Sequence, residues 1–383
     1  MAHPADPVST NPYRPWAARF WQGMRFSAWV KLALRNRLHI HPLRWPLALT
    51  TSIATGAGSL LAPVQSLLFG RRIARTELRG APIFIIGHWR SGTTLLHELL
   101  VLDERHGFPT TIECFAPTHC LLTGGLIRRL KFLLPARRPM DNMPAGWQRP
   151  MEDEFALCNL GLPSPYLTMA FPNHPPTDTD YLDFEGLDAR DIRRWKEGFL
   201  QFLRLVTYRS RKRIVLKSPP HTGRVRVLME MFPDARFVHI VRNPYSMFPS
   251  TIKLWKSLYK FQAFQLATCE HLEEYVLECF ERMYARFEID RDLLGPDRLF
   301  EIRYEDLVSS PVESLRALYE QLELGDFEPL AVKVAEYFRA NRDYQTNRLE
   351  LEPRLKAEID RRWGPYLHRH GYCLTSAVEK PVG

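Results

Sequence analysis

From residue 80 onward the apolar positions gather into short unbroken runs, each followed by a stretch of helical period. Residues 82–86 (PIFII) form the first run, stop at Gly87, and give way to the helical pattern TTLLHELL at 93–100. That order predicts strand, loop, helix. A second unit starts at 213–217 (RIVLK), passes Pro219-Pro220, and continues with Val225, Val227, Leu228 and Met231 at helical spacing. The third run, 235–241 (ARFVHIV), ends at Arg242-Asn243-Pro244 and leads into another helix. Because Pro249 is tolerated only in a first turn, that helix is predicted to begin near Met247, leaving Ser250 close to its N-terminus. A fourth strand is predicted at 298–302, a capping box with proline at the first helical position at Ser310-Pro311-Val312-Glu313, and an amphipathic helix over 353–372. Continuous apolar strands alternating with helices predict an α/β fold, a parallel sheet flanked by helices on both faces.

Ahead of this alternation, residues 1–78 are rich in Trp, Arg and Pro and read as an N-terminal helical extension to a main domain at 79–383. Within it, residues 46–70 carry no charge and lie between Arg35, Arg37 and Arg44 on one side and Arg71, Arg72 and Arg75 on the other. The length suits a membrane span. Its many Thr, Ser and Gly residues dilute the apolar content, so a buried or interfacial helical hairpin is expected instead, with peripheral membrane contact through 46–70. The first residues have no apolar core of the kind a secretory signal needs, and a cytoplasmic, membrane-associated location is expected.

The chain has 383 residues, with 52 Lys plus Arg against 43 Asp plus Glu, so it carries a net +9. Six cysteines without a CxxC pair argue against a disulfide scaffold or a zinc module. A basic excess points to nucleic acid, an anionic membrane or an anionic small substrate. No aromatic-basic run, finger spacing or basic zipper is visible, so no nucleic-acid partner is expected and the charge is assigned to an anionic ligand.

The segment 87–94 (GHWRSGTT) follows a strand and opens a helix, which presents backbone N–H groups and the positive end of a helix dipole to an anion. It is P-loop-like: Gly87, Gly92 and Thr94 fall in register with GxxxxGK[ST], but Thr93 stands in the lysine position. Without that lysine a triphosphate loses its main side-chain countercharge, while Arg90 supplies a cation of a different reach. A second anion site is predicted where Arg242 ends the third strand and Ser250 follows eight residues on. Two such sites on neighbouring strands imply a ligand with two separated phosphates.

These two loops resemble those of sulfotransferases that use 3′-phosphoadenosine 5′-phosphosulfate (PAPS). Residues 82–96 (PIFIIGHWRSGTTLL) resemble the 5′-phosphosulfate loop, 237–250 (FVHIVRNPYSMFPS) the 3′-phosphate motif, and 303–307 (RYEDL) a further element near the nucleotide. The arginine in the loop and LKSPPH at 216–221 look more like the bacterial and tyrosylprotein-type enzymes than the cytosolic ones. The resemblance implies that Arg90, Ser91, Gly92, Thr93 and Thr94 hold the 5′-phosphosulfate, that Arg242 and Ser250 hold the 3′-phosphate, and that Tyr304 lies beside the nucleotide. It implies sulfuryl transfer to a hydroxyl or amine of a small-molecule or lipid-like acceptor, with no metal required. Arg90 and Lys217 are the candidates for stabilising the leaving charge. For the base that takes the acceptor's proton, Glu113 is the first candidate, His221 a rival, and Glu152, Asp153 and Glu154 a third possibility. The Pro-punctuated region 105–210 is expected to shape the acceptor pocket, and 342–348 (RDYQTNR) lies where the family often closes a basic loop over the nucleotide. Two alternatives remain at this point: a nucleotide kinase with a degenerate loop, and a non-catalytic membrane-associated binding protein.

Overall fold

The computed structural model describes residues 17–135, 137, 143–341 and 351–372. In chain order these form α1 (Phe26–Arg35) and α2 (Trp45–Ala74), then β1 (Ile83–Ile86), α3 (Thr93–Leu100), β2 (His106–Gly107), α4 (Thr111–Phe115), α5 (Cys120–Arg129) and α6 (Asp153–Leu160). The long α7 (Ala189–Ser210) leads to β3 (Arg213–Lys217), α8 (Val225–Met231), β4 (Arg236–Val241), α9 (Pro244–Gln262) and α10 (Leu272–Asp290). The last elements are β5 (Leu299–Arg303), α11 (Tyr304–Ser309), α12 (Pro311–Gln321), α13 (Glu328–Ala340), α14 (Pro353–Arg362) and α15 (Gly364–Arg369).

The strands form one parallel sheet in the order β2-β3-β1-β4-β5, as the alternation of apolar runs and helices predicts. Successive side chains of a strand point to opposite faces, and both faces are dry. Phe84, Ile86, Leu216 and Phe237 enter a core shared with α7 and α10, whereas Ile83, Ile85, Val215, Val238 and Ile240 enter one shared with α3, α12 and α13. The chain leaves β1 for β2 and β3 on one side and then crosses to β4 and β5 on the other. The carboxyl ends of β1 and β4, which pair from Ile83↔Arg236 to Ile86↔His239, therefore meet at the point where a ligand crevice forms in such sheets.

Four local expectations differ. The stretch 46–70 is part of one continuous helix, α2, and not a hairpin. Its small residues serve close approach instead of turning the chain: a Cβ on Gly58 would sit 2.8 Å from His119 Nε2, and Ser59 Oγ accepts from the Phe26 N–H at 2.8 Å. Helix α9 begins at Pro244, with the Asn243 side chain accepting from the Tyr245 N–H at 2.9 Å, so Pro249 lies inside the helix and Ser250 in its second turn. Asn-Pro is an N-cap followed by a first-turn proline, and that pair outweighs the later proline. Pro311 does open α12, but the Ser310 side chain makes no capping bond, because Ser310 also ends α11. Finally, 353–372 divides into α14 and α15 at Trp363, whose indole stacks on Phe280 at 3.8 Å. Strand β2 went unpredicted, since two residues carry no period.

Candidate active site

The turn after β1 needs three left-handed residues: Gly87 at φ +142°, Arg90 at +69° and Gly92 at +110°. At the two glycines there is also no space for a side chain, since a Cβ would lie 2.5 Å from the Ile240 carbonyl oxygen or 2.5 Å from the Tyr304 ring. The turn is closed from within: the Ser91 amide and hydroxyl both donate to the His88 carbonyl, at 3.1 and 2.8 Å. Ser91 is thus a buried brace of the loop. Beyond it, Thr93 and Thr94 open α3, whose first-turn amides have no intrahelical acceptor.

The loop after β4 is bound directly to this turn. The Arg90 Nε donates to Ser250 Oγ at 3.0 Å, the Arg242 Nη1 donates to the Arg90 carbonyl at 2.9 Å, and the Thr251 hydroxyl donates to the Trp89 carbonyl at 3.1 Å. The Arg242 guanidinium lies over the Tyr304 ring at 4.2 Å, a planar stack that orients its fork. Its backbone N–H donates to the Tyr366 hydroxyl at 3.0 Å. Arg90, Arg242, Ser250 and Tyr304, spread from position 90 to position 304 of the chain, form one polar wall.

That wall is one end of a cavity of about 1730 Å³. Trp89, Arg90, Gly92, Thr93, Thr94, Arg242, Ser250 and Tyr304 line this end, as they must if the end is to receive an anion. Elsewhere the lining is largely apolar: Phe20, Phe115, Phe155, Met169, Leu254, Trp255, Leu258 and Phe261. Residues 143–146, together with Leu134, Pro135 and Phe155, bring the irregular region 105–210 onto the wall. Phe20 comes from the N-terminal extension, and Tyr337 and Phe338 from the end of α13. The basic segment 342–348 lies outside the described residues.

Three successive acids at the start of α6 each meet a basic group from the β3 loop. Glu152 Oε1 pairs with Lys217 Nζ, Asp153 Oδ2 with His221 Nε2 at 2.8 Å, and Glu154 with both Nη atoms of Arg224 at 2.6 and 3.0 Å. Only Glu152 of these acids reaches the cavity. Its Oε2 accepts from the Tyr166 hydroxyl at 2.5 Å, and that hydroxyl accepts from the Trp89 indole N–H at 2.9 Å, so the carboxylate is tied to the turn after β1 through one side chain. Burial, and after it the Glu152 charge, push the Tyr166 phenol well above its ordinary range and keep it a donor.

The other candidates for the base are placed differently. Glu113 is the N3 residue of α4: its Oε2 accepts from the Thr110 N–H and hydroxyl at 2.8 and 2.7 Å, and its Oε1 from Arg209 at 2.5 Å. It is buried behind the wall and spent on a capping box. His221 is fully buried between Phe84 and Phe199, against Asp153. Although burial opposes it, His221 holds the Asp153 carboxyl below its ordinary range. Lys217 is buried beside Glu152, with its ammonium directed at that carboxylate. The sequence also left Phe20 and the Glu98–Arg149 pair, at 3.2 Å, out of the site. Nothing in FWQG or in a lone helical Glu marks them; they join the wall only through tertiary packing.

A family model described as the sulfotransferase family matches residues 82–329, from the first strand to the start of α13. This chain belongs to the sulfotransferase family. It is 45% identical over 360 residues to proteins of Mycobacterium bovis and Mycobacterium tuberculosis named omega-hydroxy-beta-dihydromenaquinone-9 sulfotransferase Stf3, covering 94% of this chain and 93% of those. Its fold is similar to crystal structures of sulfotransferase STF9 from Mycobacterium avium and STF1 from Mycobacterium tuberculosis, with TM-scores of 0.65 and 0.63 at 17% and 16% identity. Each likeness covers 91% of this chain, with 96% of STF9 and 93% of STF1. The enzyme is a transferase of sulfuryl groups, and the kinase and non-catalytic alternatives fall away.

Proposed function

We propose that this sulfotransferase moves the sulfuryl group of PAPS to the hydroxyl of a lipid-like acceptor, with Glu152 as the base. The observation that carries the reading is the two-ended cavity: a wall of two cross-braced anion loops at one end and aromatic and aliphatic side chains over most of the rest. A bisphosphorylated nucleotide fits the polar wall, where Arg90 and the α3 amides would face the 5′ end and Arg242 and Ser250 the 3′ end. The relatives named for an omega-hydroxy dihydromenaquinone suggest the acceptor class, a hydroxylated lipid whose apolar part would lie along Phe20, Phe155 and Phe261.

In the transfer, the acceptor oxygen bonds to sulfur while the bond from sulfur to the phosphate oxygen breaks. The electron pair of that bond leaves on 3′,5′-bisphosphoadenosine, and the hydroxyl proton goes to Glu152. Lys217 pairs with Glu152, and Arg90 at the cavity wall would add positive charge near the leaving phosphate. Each carboxylate oxygen has two lone pairs, so the bonds from Lys217 and Tyr166 leave Glu152 able to take one proton more.

The test is transfer of labelled sulfate from PAPS to a hydroxylated isoprenoid lipid, together with binding of 3′,5′-bisphosphoadenosine followed by thermal shift. A labelled lipid ester and a stabilisation that magnesium-ATP does not reproduce are expected. No transfer to any hydroxylated lipid, together with no stabilisation by the bisphosphate, would overturn it.

A further inference from the structure

Helix α2 is built inside out. Its inward face carries small and polar residues, Ala48, Thr51, Thr55, Gly58 and Gln65, all buried. Hydrogen bonds from Ser52 and Gln65 tie this side of the helix down: Ser52 Oγ accepts from the Trp29 indole at 2.8 Å, and Gln65 spans the Pro117 carbonyl at 3.2 Å and the Leu121 amide at 2.8 Å. Its outward face repeats every three or four residues as Trp45, Leu49, Ile53, Ala57, Leu60, Val64 and Leu67, with Leu60 77% and Leu67 85% exposed. A helix on the surface of a globular protein has the opposite arrangement, and a continuous apolar stripe of this length marks a partner.

The charges around the stripe identify the partner. Between residues 45 and 70 there is no charged side chain, while exposed Arg71, Arg72 and Arg75 follow it and Arg37 precedes it. Helix α5, which starts against Gln65, exposes Leu126, Arg128 and Arg129, is followed by exposed Phe132, and contributes no acidic residue. Large apolar groups rimmed by arginine, with exposed Glu77 following Arg75, complement the acyl and phosphate layers of an anionic bilayer. The helix is long and apolar enough to cross a membrane, but its inner face stays bonded to α1 and to residues 117–121, so it lies in the surface plane.

We infer that the outward face of α2 docks this sulfotransferase, in plane, on an anionic lipid surface. The cavity wall is linked to the start of that helix. Phe261 lines the cavity, and the neighbouring Lys260 carbonyl accepts from Arg44 Nη2 at 2.8 Å, one residue before α2 begins. The docking rests on α2 itself and holds whichever acceptor is used.

The experiment is co-flotation of the full chain with vesicles of phosphatidylcholine alone or with about one-third phosphatidylglycerol, without donor or acceptor. Flotation with the anionic vesicles, reduced by salt, is expected. Leu60→Ser with Leu67→Ser lowers vesicle affinity by about tenfold or more, and so does Arg71→Glu with Arg72→Glu, while Ile289→Ser with Val332→Ser, on other exposed surfaces, leaves it unchanged. Unaltered thermal unfolding of each variant confirms that the fold is intact. The proposal is overturned if the chain ignores anionic vesicles, if the control pair weakens flotation equally, or if the Leu60 and Leu67 substitutions only dissociate a dimer. Loss of transfer activity with flotation retained would count against the catalytic reading alone.

Discussion

Glu152 and Glu113 put the same carboxylate into different surroundings. One shares the cavity wall with Tyr166 and Lys217, the other has its oxygens committed to a helix start and to Arg209. Glu152→Gln should lower kcat by roughly 10²-fold or more while bisphosphate binding persists. Glu113→Gln should leave kcat near that of the parent and lower the unfolding midpoint, because it weakens a capping box and an ion pair; steady-state kinetics beside calorimetry separate the two. On the proposed reading Arg242 acts by binding: Arg242→Ala removes its bond to the Arg90 carbonyl and its stack on Tyr304. Affinity for 3′,5′-bisphosphoadenosine should fall by about tenfold to a hundredfold, measured by titration calorimetry. A fall confined to kcat would contradict this assignment.

At the scale of elements, α6 is pinned to the segment after β3 by a fully buried ion pair, Glu154 with Arg224, whose guanidinium also lies over Trp195 at 5.1 Å. Arg224→Met leaves a buried carboxylate without its cation and should cost about 3–5 kcal/mol in denaturant unfolding, with much of the loss restored by adding Glu154→Leu. These pairings explain what was legible beforehand and what was not. Four of the five strands and the turn at 87–94 follow from local period and spacing, because a strand, a glycine turn and a helix start each dictate their own residues. The acids at 152–154 were visible as a cluster, but which of them faces the cavity depends on where α6 lies against β3, sixty residues away. Likewise, the glycines and serines of α2 look like breakers in sequence and prove to be contact residues, since only packing distinguishes the two uses.

For the whole molecule, the buried histidines set the response to acid. Burial holds His88 neutral down to about 3, and burial reinforced by the Lys217 charge does the same for His97. Below pH 6.5 the unfolded chain takes up protons that the folded chain refuses, so stability is complete above that value and is lost as pH falls toward 3. The unfolding midpoint should decline steadily from pH 6.5 to pH 4, and His97→Gln should flatten the decline; a midpoint constant over that range would show that neither ring is buried as described.

The contacts of the first helices also govern the timing of synthesis. Trp21 donates its indole N–H to the Gln262 carbonyl, 241 residues later in the chain, and Gln65 waits for residues 117–121. A ribosome therefore releases α2 with its serines and glutamine unmatched, long before the body that receives it exists. During that interval the nascent chain is at its most prone to self-association, and whichever surface or chaperone shelters it then contributes as much to the yield of enzyme as the stability of the finished fold.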